Sequence, residues 1–489
     1  MPIPGDTIEP SADALAPAER RHRLTGWLLG VALVTFLAGL LFGYDQGVIS
    51  GALPLVTADL DLSTFASEII TSWVTLGALA GALVAGTLAD RIGRRWTAVA
   101  AGVLFAGGAL LEAVAPDAAT LTVGRVVTGV AVGFASTVAP LYAAEMAPAW
   151  IRGRIVSSYQ LAITVGIFLA YLADDALTGG DHWREMFALA VIPGVLLVVG
   201  FLAVPESARW LLSKGRRDRA LVTLQKVDGP ADAPAHLADL EEDLREEQAE
   251  GRATWGEVFG PRVRRPLIIG MGLAIIQQVT GINAIIYYAN DIFARAGFAT
   301  AEEQAQATLY AIGLVNVLAT FIAIAYVDRF GRRPLLLAGL VGMTVSLAAV
   351  GASFAFFSTE AAGDTGVSVA GVFTLVALVV FIASFAFSLG PIVWTIISEI
   401  YPNRVRGRAV SFATAVNWGA AFLVTQFFLT IVDAIGEAAT FFSMAGICVL
   451  SYIWIHRNVP ETRGRTLEEI QDLWNPSTTP APGTPRTDP

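Results

Sequence analysis

The chain has 489 residues, 55% of them hydrophobic and only 15% charged, with a formal net charge of −10. Ordinary soluble domains carry about 25% charged residues, and uncharged runs of about 20 residues match a bilayer rather than a soluble core. Soluble globular classes are thereby excluded, and no basic face remains to suggest a nucleic-acid partner.

Residues 1–23 are rich in Pro, Ala and acids, without an apolar stretch, and read as a disordered arm rather than a cleavable signal. Six apolar spans follow within 24–204, at about 25–52, 67–89, 96–115, 119–143, 155–174 and 184–204. Residues 205–265 form a charged linker whose Leu and Val spacing predicts short amphipathic helices. Six more spans fill 266–457, at about 266–290, 306–327, 334–357, 367–399, 409–432 and 438–456. A Pro-rich tail occupies 458–489. The expected fold is an all-α membrane protein of twelve transmembrane helices in two six-helix halves. Cys448 is the only cysteine, so no intrachain disulfide can form. His22, His182, His236 and His456 lie in loops or at span ends, and no HExxH, G-x-S-x-G or P-loop occurs. No metal, cofactor or enzymatic centre is expected.

The halves repeat one another. ADRIGRR at 89–95 recurs as VDRFGRR at 327–333, Glu145–Arg154 as Glu399–Arg408, and Val204-Pro-Glu-Ser as Val459-Pro-Glu-Thr. Such repetition between apolar runs marks a duplicated membrane bundle, with function expected where the halves meet. The loops after spans 2, 4, 6, 8 and 10 carry the arginine clusters, whereas the other side has only Arg184 and Arg295 among many acids. The positive-inside rule puts both termini in the cytoplasm.

GYDQGVISGAL at 43–53, the paired DRxGRR loops, PESARW at 205–210, QQVTGINAIIYYA at 277–289 and PETRG at 460–464 resemble the sugar porter family of the major facilitator superfamily. The likeness spans about residues 24 to 470. It implies two six-helix halves around a central cavity that opens alternately to each side. It further implies a monosaccharide as substrate, a bacterial inner membrane as location and a monomer as working unit.

Buried polar groups cost several kcal/mol unless partnered, so the polar residues inside the spans carry the argument. Gly39, Gly43, Gly47 and Gly51 fall every fourth residue and predict close helix packing. Asp45 lies about 200° around the helix from Gly43, away from that seam. Its expected partner is Arg125, the one basic residue well inside a span. The pair is either a structural ion pair or a proton switch. The Asp–Arg combination resembles proton-coupled members of the family; facilitative members generally have Asn at the first position.

In span 7, Gln277, Gln278, Asn283 and Tyr287 scatter over too wide an arc for one regular helical face, which predicts a break at Gly281. Amide side chains suit neutral hydroxyls because each offers donors and an acceptor without a charge. Gly390-Pro391 is expected to break span 10 just before Trp394. By resemblance, the sugar site is lined by Phe42, Gln160, Gln277, Gln278, Asn283, Tyr287, Asn316, Gly390, Trp394, Asn417 and Trp418. A bacterial xylose–proton symporter of the family has Gln at the Asn417 position and an intramembrane Glu at the Ala190 position, so the resemblance favours a hexose over xylose. Asp90, Arg91, Arg95, Glu145, Arg152 and Arg154, with Asp328, Arg329, Arg333, Glu399, Arg406 and Arg408, are expected to latch the cytoplasmic ends as a gate. A facilitator without proton movement and a sugar sensor are the competing readings; the short tail after span 12 disfavours the sensor.

Overall fold

The computed structural model describes residues 25–250, 254–261, 263–357, 368–402 and 404–463, without the side chains of 149, 247–250 and 326–330. Twelve helical stretches are long and apolar enough to cross a membrane. Helix is what the sequence dictates there, since a backbone without water must satisfy its hydrogen bonds within its own segment.

The first half comprises α1 (Gly26–Asp59), α2 (Thr64–Ile92), α3 (Arg94–Ala113), α4 (Ala118–Met146), α5 (Ala149–Leu177) and a sixth span split into α6 (Trp183–Leu189) and α7 (Val191–Ala203). Polar caps fix where several spans begin: Thr25, Ser63 and Asp117 each accept a hydrogen bond from a first-turn amide. The Thr120 amide holds the exposed Asp117 carboxyl below its ordinary range. The linker folds into α8 (Ala208–Ser213), α9 (Arg217–Val227), α10 (Ala233–Glu250) and α11 (Trp255–Val258). Trp210, Leu211, Leu224, Leu237 and Leu240 give it a small apolar core of its own.

The second half begins with a broken span, α12 (Arg264–Val279), α13 (Ile282–Tyr287) and α14 (Ala289–Arg295). Next comes α15 (Ala301–Ala307), a π-helical segment at Thr308–Leu314, and α16 (Val315–Phe330). α17 (Arg332–Phe356), α18 (Val369–Ala386), α19 (Leu389–Glu399), α20 (Arg406–Ile435) and α21 (Glu437–Asn458) complete it. Most span ends lie within a few residues of the sequence expectation; α1 runs on through Pro54 to Asp59, α5 begins earlier, at Ala149, and the eighth span begins earlier, at Ala301.

The span 10 break falls at Phe387–Ser388, ahead of the expected Gly390-Pro391. Pro391 is its cause at a distance. A proline ring collides with the carbonyl four residues back, here Phe387, and is itself tolerated in the first turn of the new helix. The span 7 break falls at Gly281, as expected, with φ +95.

α1 packs on α5 along the glycine stripe. A Cβ on Gly39 or Gly43 would run into the carbonyl oxygens of Tyr159 or Ile163, and one on Gly47 would lie 2.6 Å from the Ala170 Cβ. α2 and α4 close on each other in the same manner through Gly77, Gly81, Gly129 and Gly133. The two halves meet where α2 lies on α20 and where α5 lies on the π segment and α16. Gly43→Val should therefore destabilise the bundle by about 1–3 kcal/mol or more through overpacking. A fall in the apparent melting temperature of the detergent-solubilised variant would show it; an unchanged melting curve would remove the close approach at this seam.

Candidate functional site

Two polar constellations lie in the interior, joined through consecutive residues of α1. The first is ionic. Arg125 on α4 is fully buried, and its Nη1 donates to Asp45 Oδ1 at 2.8 Å. Its Nε donates to the Ile70 carbonyl at 3.3 Å, and its guanidinium faces the Phe187 ring with 6.0 Å to the centroid. Glu112 on α3, 1% exposed, stands 3.8 Å from the same Nη1 and accepts a 2.7 Å hydrogen bond from Thr128. A helix interior offers no water to these charges, so each must be held by another.

The second constellation is a chain of amides. Gln46, next to Asp45, donates to Asn283 Oδ1 at 3.2 Å and to Tyr287 Oη at 3.4 Å. Asn283 donates to Gln278 at 2.8 Å, and Gln278 to Asn417 at 3.2 Å. Asn417 donates to Gln277 at 2.9 Å and to the Ala274 carbonyl at 3.0 Å. Gln277 in turn reaches the carbonyls of Leu389 at 2.9 Å and Gly390 at 3.4 Å, at the start of α19. The left-handed Gly281 makes this possible by turning α13 relative to α12, so that Gln278 and Asn283, five residues apart, face each other.

Phe42 on α1 packs on Trp418 of α20, across the two halves, with ring centroids 5.5 Å apart. Of the expected lining residues, Phe42, Gln277, Gln278, Asn283, Tyr287, Gly390, Asn417 and Trp418 are thus in direct contact with one another or with Gln46. Gln160 on α5 and Trp394 on α19 are half-buried, and Asn316 on α16 is buried. Among the described residues, no hydrogen bond ties these three to the amide chain.

The described ties between the halves lie toward one end, that of the acidic loops. Beyond Gln46–Asn283 they include Ser50 with Asn290, Tyr171 Oη with the Ile286 carbonyl at 2.9 Å, and Ser72 with Gln426 at 2.6 Å. Glu68 accepts from both the amide and the hydroxyl of Thr430, at 2.7 and 2.6 Å.

At the arginine-rich end the charges pair inside each half. Arg94 grips Glu145 with two nitrogens and holds Asp90 at 3.1 Å, while Ser207 donates to Glu145. Glu206 accepts the amides of Arg94, Arg95 and Ser207 at 3.0, 3.1 and 2.9 Å, an anion seated on the start of α3. Glu461 repeats this on the amides of Arg332 and Arg333 at 3.1 and 3.0 Å, and Arg332 lies 3.6 Å from Glu399. Burial pushes the Glu206 carboxyl up against the pull of its amides. Burial also opposes ionisation of Glu461, but its amide donors outweigh it and hold that carboxyl below the usual range.

The expected gate residues make the following contacts in this conformation. Arg95 and Arg333 reach carbonyls at the ends of α7 and α21, Arg152 and Arg406 cap the carbonyls of Ala147 and Tyr401, and Arg408 lies over the Trp255 ring. Arg91 and Arg154 are exposed. Asp328 and Arg329 lie outside the described side chains. The pairing work falls to Arg94 and Arg332, the next-to-last residues of the repeated motifs. Glu206 and Glu461 were visible in the PES and PET repeats. Gln46 and Asp174, whose Oδ2 accepts the Gly51 amide at 3.1 Å, were legible as polar residues inside apolar spans, whereas Glu112 sits at the end of its span.

The pattern of the family described as "Sugar (and other) transporter" matches residues 31–474. The chain belongs to this family of transporters. It is 39% identical over 442 residues to the galactose-proton symporter of Escherichia coli strain K12, covering 90% of this chain and 93% of that one. It is 40% identical over 439 residues to a putative metabolite transport protein, YwtG, of Bacillus subtilis, covering 89% and 93%. The inward-open structure of the E. coli xylose transporter XylE superposes with a TM-score of 0.77 at 31% identity, covering 91% of this chain and 100% of that one. The protein is thus a multi-pass membrane transporter of the sugar porter class.

Glu206→Ala strands the three amides of Arg94, Arg95 and Ser207 and should cost about 1–3 kcal/mol. Thermal unfolding of the purified transporter should fall accordingly, with Glu206→Gln recovering part of the loss. A melting curve unchanged by both substitutions would show that the carboxylate is not a structural staple.

Proposed function

We propose that the transporter is a proton-coupled monosaccharide symporter, with Asp45 as the proton carrier, Arg125 as its counter-ion and the amide chain as the sugar site. The observation that carries this reading is the adjacency of two contacts. Asp45 holds Arg125 within the first half at 2.8 Å, while its neighbour Gln46 reaches Asn283 in the second half at 3.2 Å. A proton on Asp45 weakens its hold on Arg125, and any resulting movement of α1 acts on the tie between the halves. Sugar hydroxyls compete for that same tie, because each amide can exchange an amide partner for a hydroxyl. Proton and sugar thereby bias one conformational equilibrium, which is the condition for coupling.

The driving force suffices. A membrane potential of about 100 mV is worth about 2.3 kcal/mol per proton, and one pH unit adds about 1.4 kcal/mol. Together they sustain roughly a 500-fold sugar gradient at one proton per sugar.

With the arginine-rich end in the cytoplasm of a bacterial cell, the ties at the acidic end describe a carrier closed to the outside. The latch formed by Asp90, Arg91, Arg95, Glu145, Arg152, Arg154 and their counterparts in the second half then acts in the opposite state, closing the inner side. A hexose is the favoured substrate: Asn417 stands in the amide chain, and a galactose-proton symporter is among the relatives at 39% identity.

The direct test is external pH during addition of glucose, galactose, xylose, mannose or inositol to de-energised proteoliposomes. Alkalinisation accompanying uptake of one sugar is the expected result. Uptake without any pH change would make the protein a facilitator and Asp45–Arg125 a structural pair. Asp45→Asn should abolish proton-driven accumulation while leaving counterflow exchange at least partly intact; loss of sugar binding itself would make Asp45 a ligand. Gln277→Ala should weaken sugar binding by about 1–3 kcal/mol, from partners left unpaired. Titration of the purified variant checks this, and an unchanged affinity would take span 7 out of the site.

A further inference from the structure

Glu112 has no part in the reading above, yet it is built into the same ion cluster. Its Oε1 accepts from Thr128, while its Oε2 faces Arg125 at 3.8 Å. The Nη1 that it faces is the nitrogen already bound to Asp45. Arg125 Nη2 is buried and has no hydrogen-bond partner among the described residues. Gly124, the residue before Arg125, leaves the room that Glu112 fills: a Cβ there would lie 2.6 Å from the Glu112 Cγ. Two carboxylates therefore flank a single guanidinium that has a donor to spare.

We propose that Glu112 is a second anionic station for Arg125, receiving the guanidinium when a proton neutralises Asp45 and returning it when the proton leaves. The inference rests on the proton-carrier role of Asp45 and names the residue that makes this role workable. A carrier with one anion per guanidinium resists protonation, because the product is an unpaired buried cation. With Glu112 in reach, the proton adds to an Asp45 carboxylate oxygen, the Asp45–Arg125 contact opens and a Glu112–Arg125 contact closes. The cluster passes from one net negative charge to none, and no cation is ever left alone. Thr128 holds the Glu112 carboxylate in place for the exchange. Glu112 is a positioning residue in this scheme: it touches neither sugar nor the transferred proton.

Other charges around α3 have occupations of their own. α4 brings Arg125, and α1 contributes Asp45 by way of it. α6 brings Glu185 and Arg184, the latter bound to Asp59 at 3.0 Å and to the Ala115 carbonyl at 3.3 Å. α7 carries no titratable side chain. α2, joined to α3 through Gly93 at the opposite end, carries Glu68, which is tied to Thr430, Asp90, which is held by Arg94, and the exposed Arg91.

The test is the pH profile of proton-driven galactose or glucose accumulation in proteoliposomes, for the native chain, Glu112→Gln, Glu112→Asp and Asp45→Asn. Glu112→Gln keeps the shape and the Thr128 contact but removes the charge, so Asp45 becomes the only anion for Arg125. The alkaline limb of the profile should then move to lower pH, by about tenfold in proton concentration, with counterflow at fixed pH retained. Glu112→Asp should restore a profile near the native one. Should Glu112→Gln not assemble, Thr128→Val, which removes the hydroxyl that steadies the carboxylate, should shift the limb in the same direction by a smaller amount. A native profile in either variant, with Asp45→Asn inactive in accumulation, would overturn the second station alone. Accumulation that survives Asp45→Asn would overturn the carrier reading and the station with it.

Discussion

One fully buried guanidinium constrains the first half. Arg125 is placed by α4 where water does not reach, and a lone charge there costs several kcal/mol even after the surroundings relax. The fold answers with Asp45 from α1, Glu112 from α3 and the Ile70 carbonyl from α2. Four helices are thereby oriented about one side chain. Their approach is close only because glycine lines the seams, so the polar cluster and the small-residue stripes are two parts of one arrangement. A bulkier stripe would move α1 away from α5 and displace Asp45 from Arg125.

Much of this was legible in the sequence, for reasons that differ by element. Spans are read from length and apolarity, which the bilayer fixes directly, so twelve were expected, and twelve helical stretches among the described residues are long and apolar enough. The Gly281 break was legible because two amides and an asparagine cannot share one face of a regular helix. Span 10 was harder, because the disruptive proline acts four residues before itself, and the sequence marks the cause rather than the place. The π segment at Thr308–Leu314 has no residue that announces it.

Among site residues, the amides of span 7 declared themselves, and Asp45–Arg125 followed from charge scarcity. Glu112 was equally scarce in kind but sat close to a span end, where a carboxylate reads as interfacial. Only the packing of α3 on α4 shows it turned inward to Thr128 and Arg125. The gate illustrates another limit. Repetition identified the loops that carry these charges, but which of three neighbouring arginines turns toward Glu145 depends on the φ +104 turn at Gly93, after which Arg94 points inward while Arg91 stays exposed. A motif fixes the neighbourhood; backbone direction selects the residue.

In the amide chain from Gln46 to Leu389, each amide bonds at least one other member of the chain. If the chain is the sugar site proposed above, an entering sugar exchanges one set of neutral hydrogen bonds for another. On the same reading, the favourable balance comes from released water and from the apolar faces of Phe42 and Trp418. A carrier gains from such a flat balance. On that reading the empty site keeps its amides paired with one another, so reorientation without a sugar does not carry unmet polar groups through the bundle.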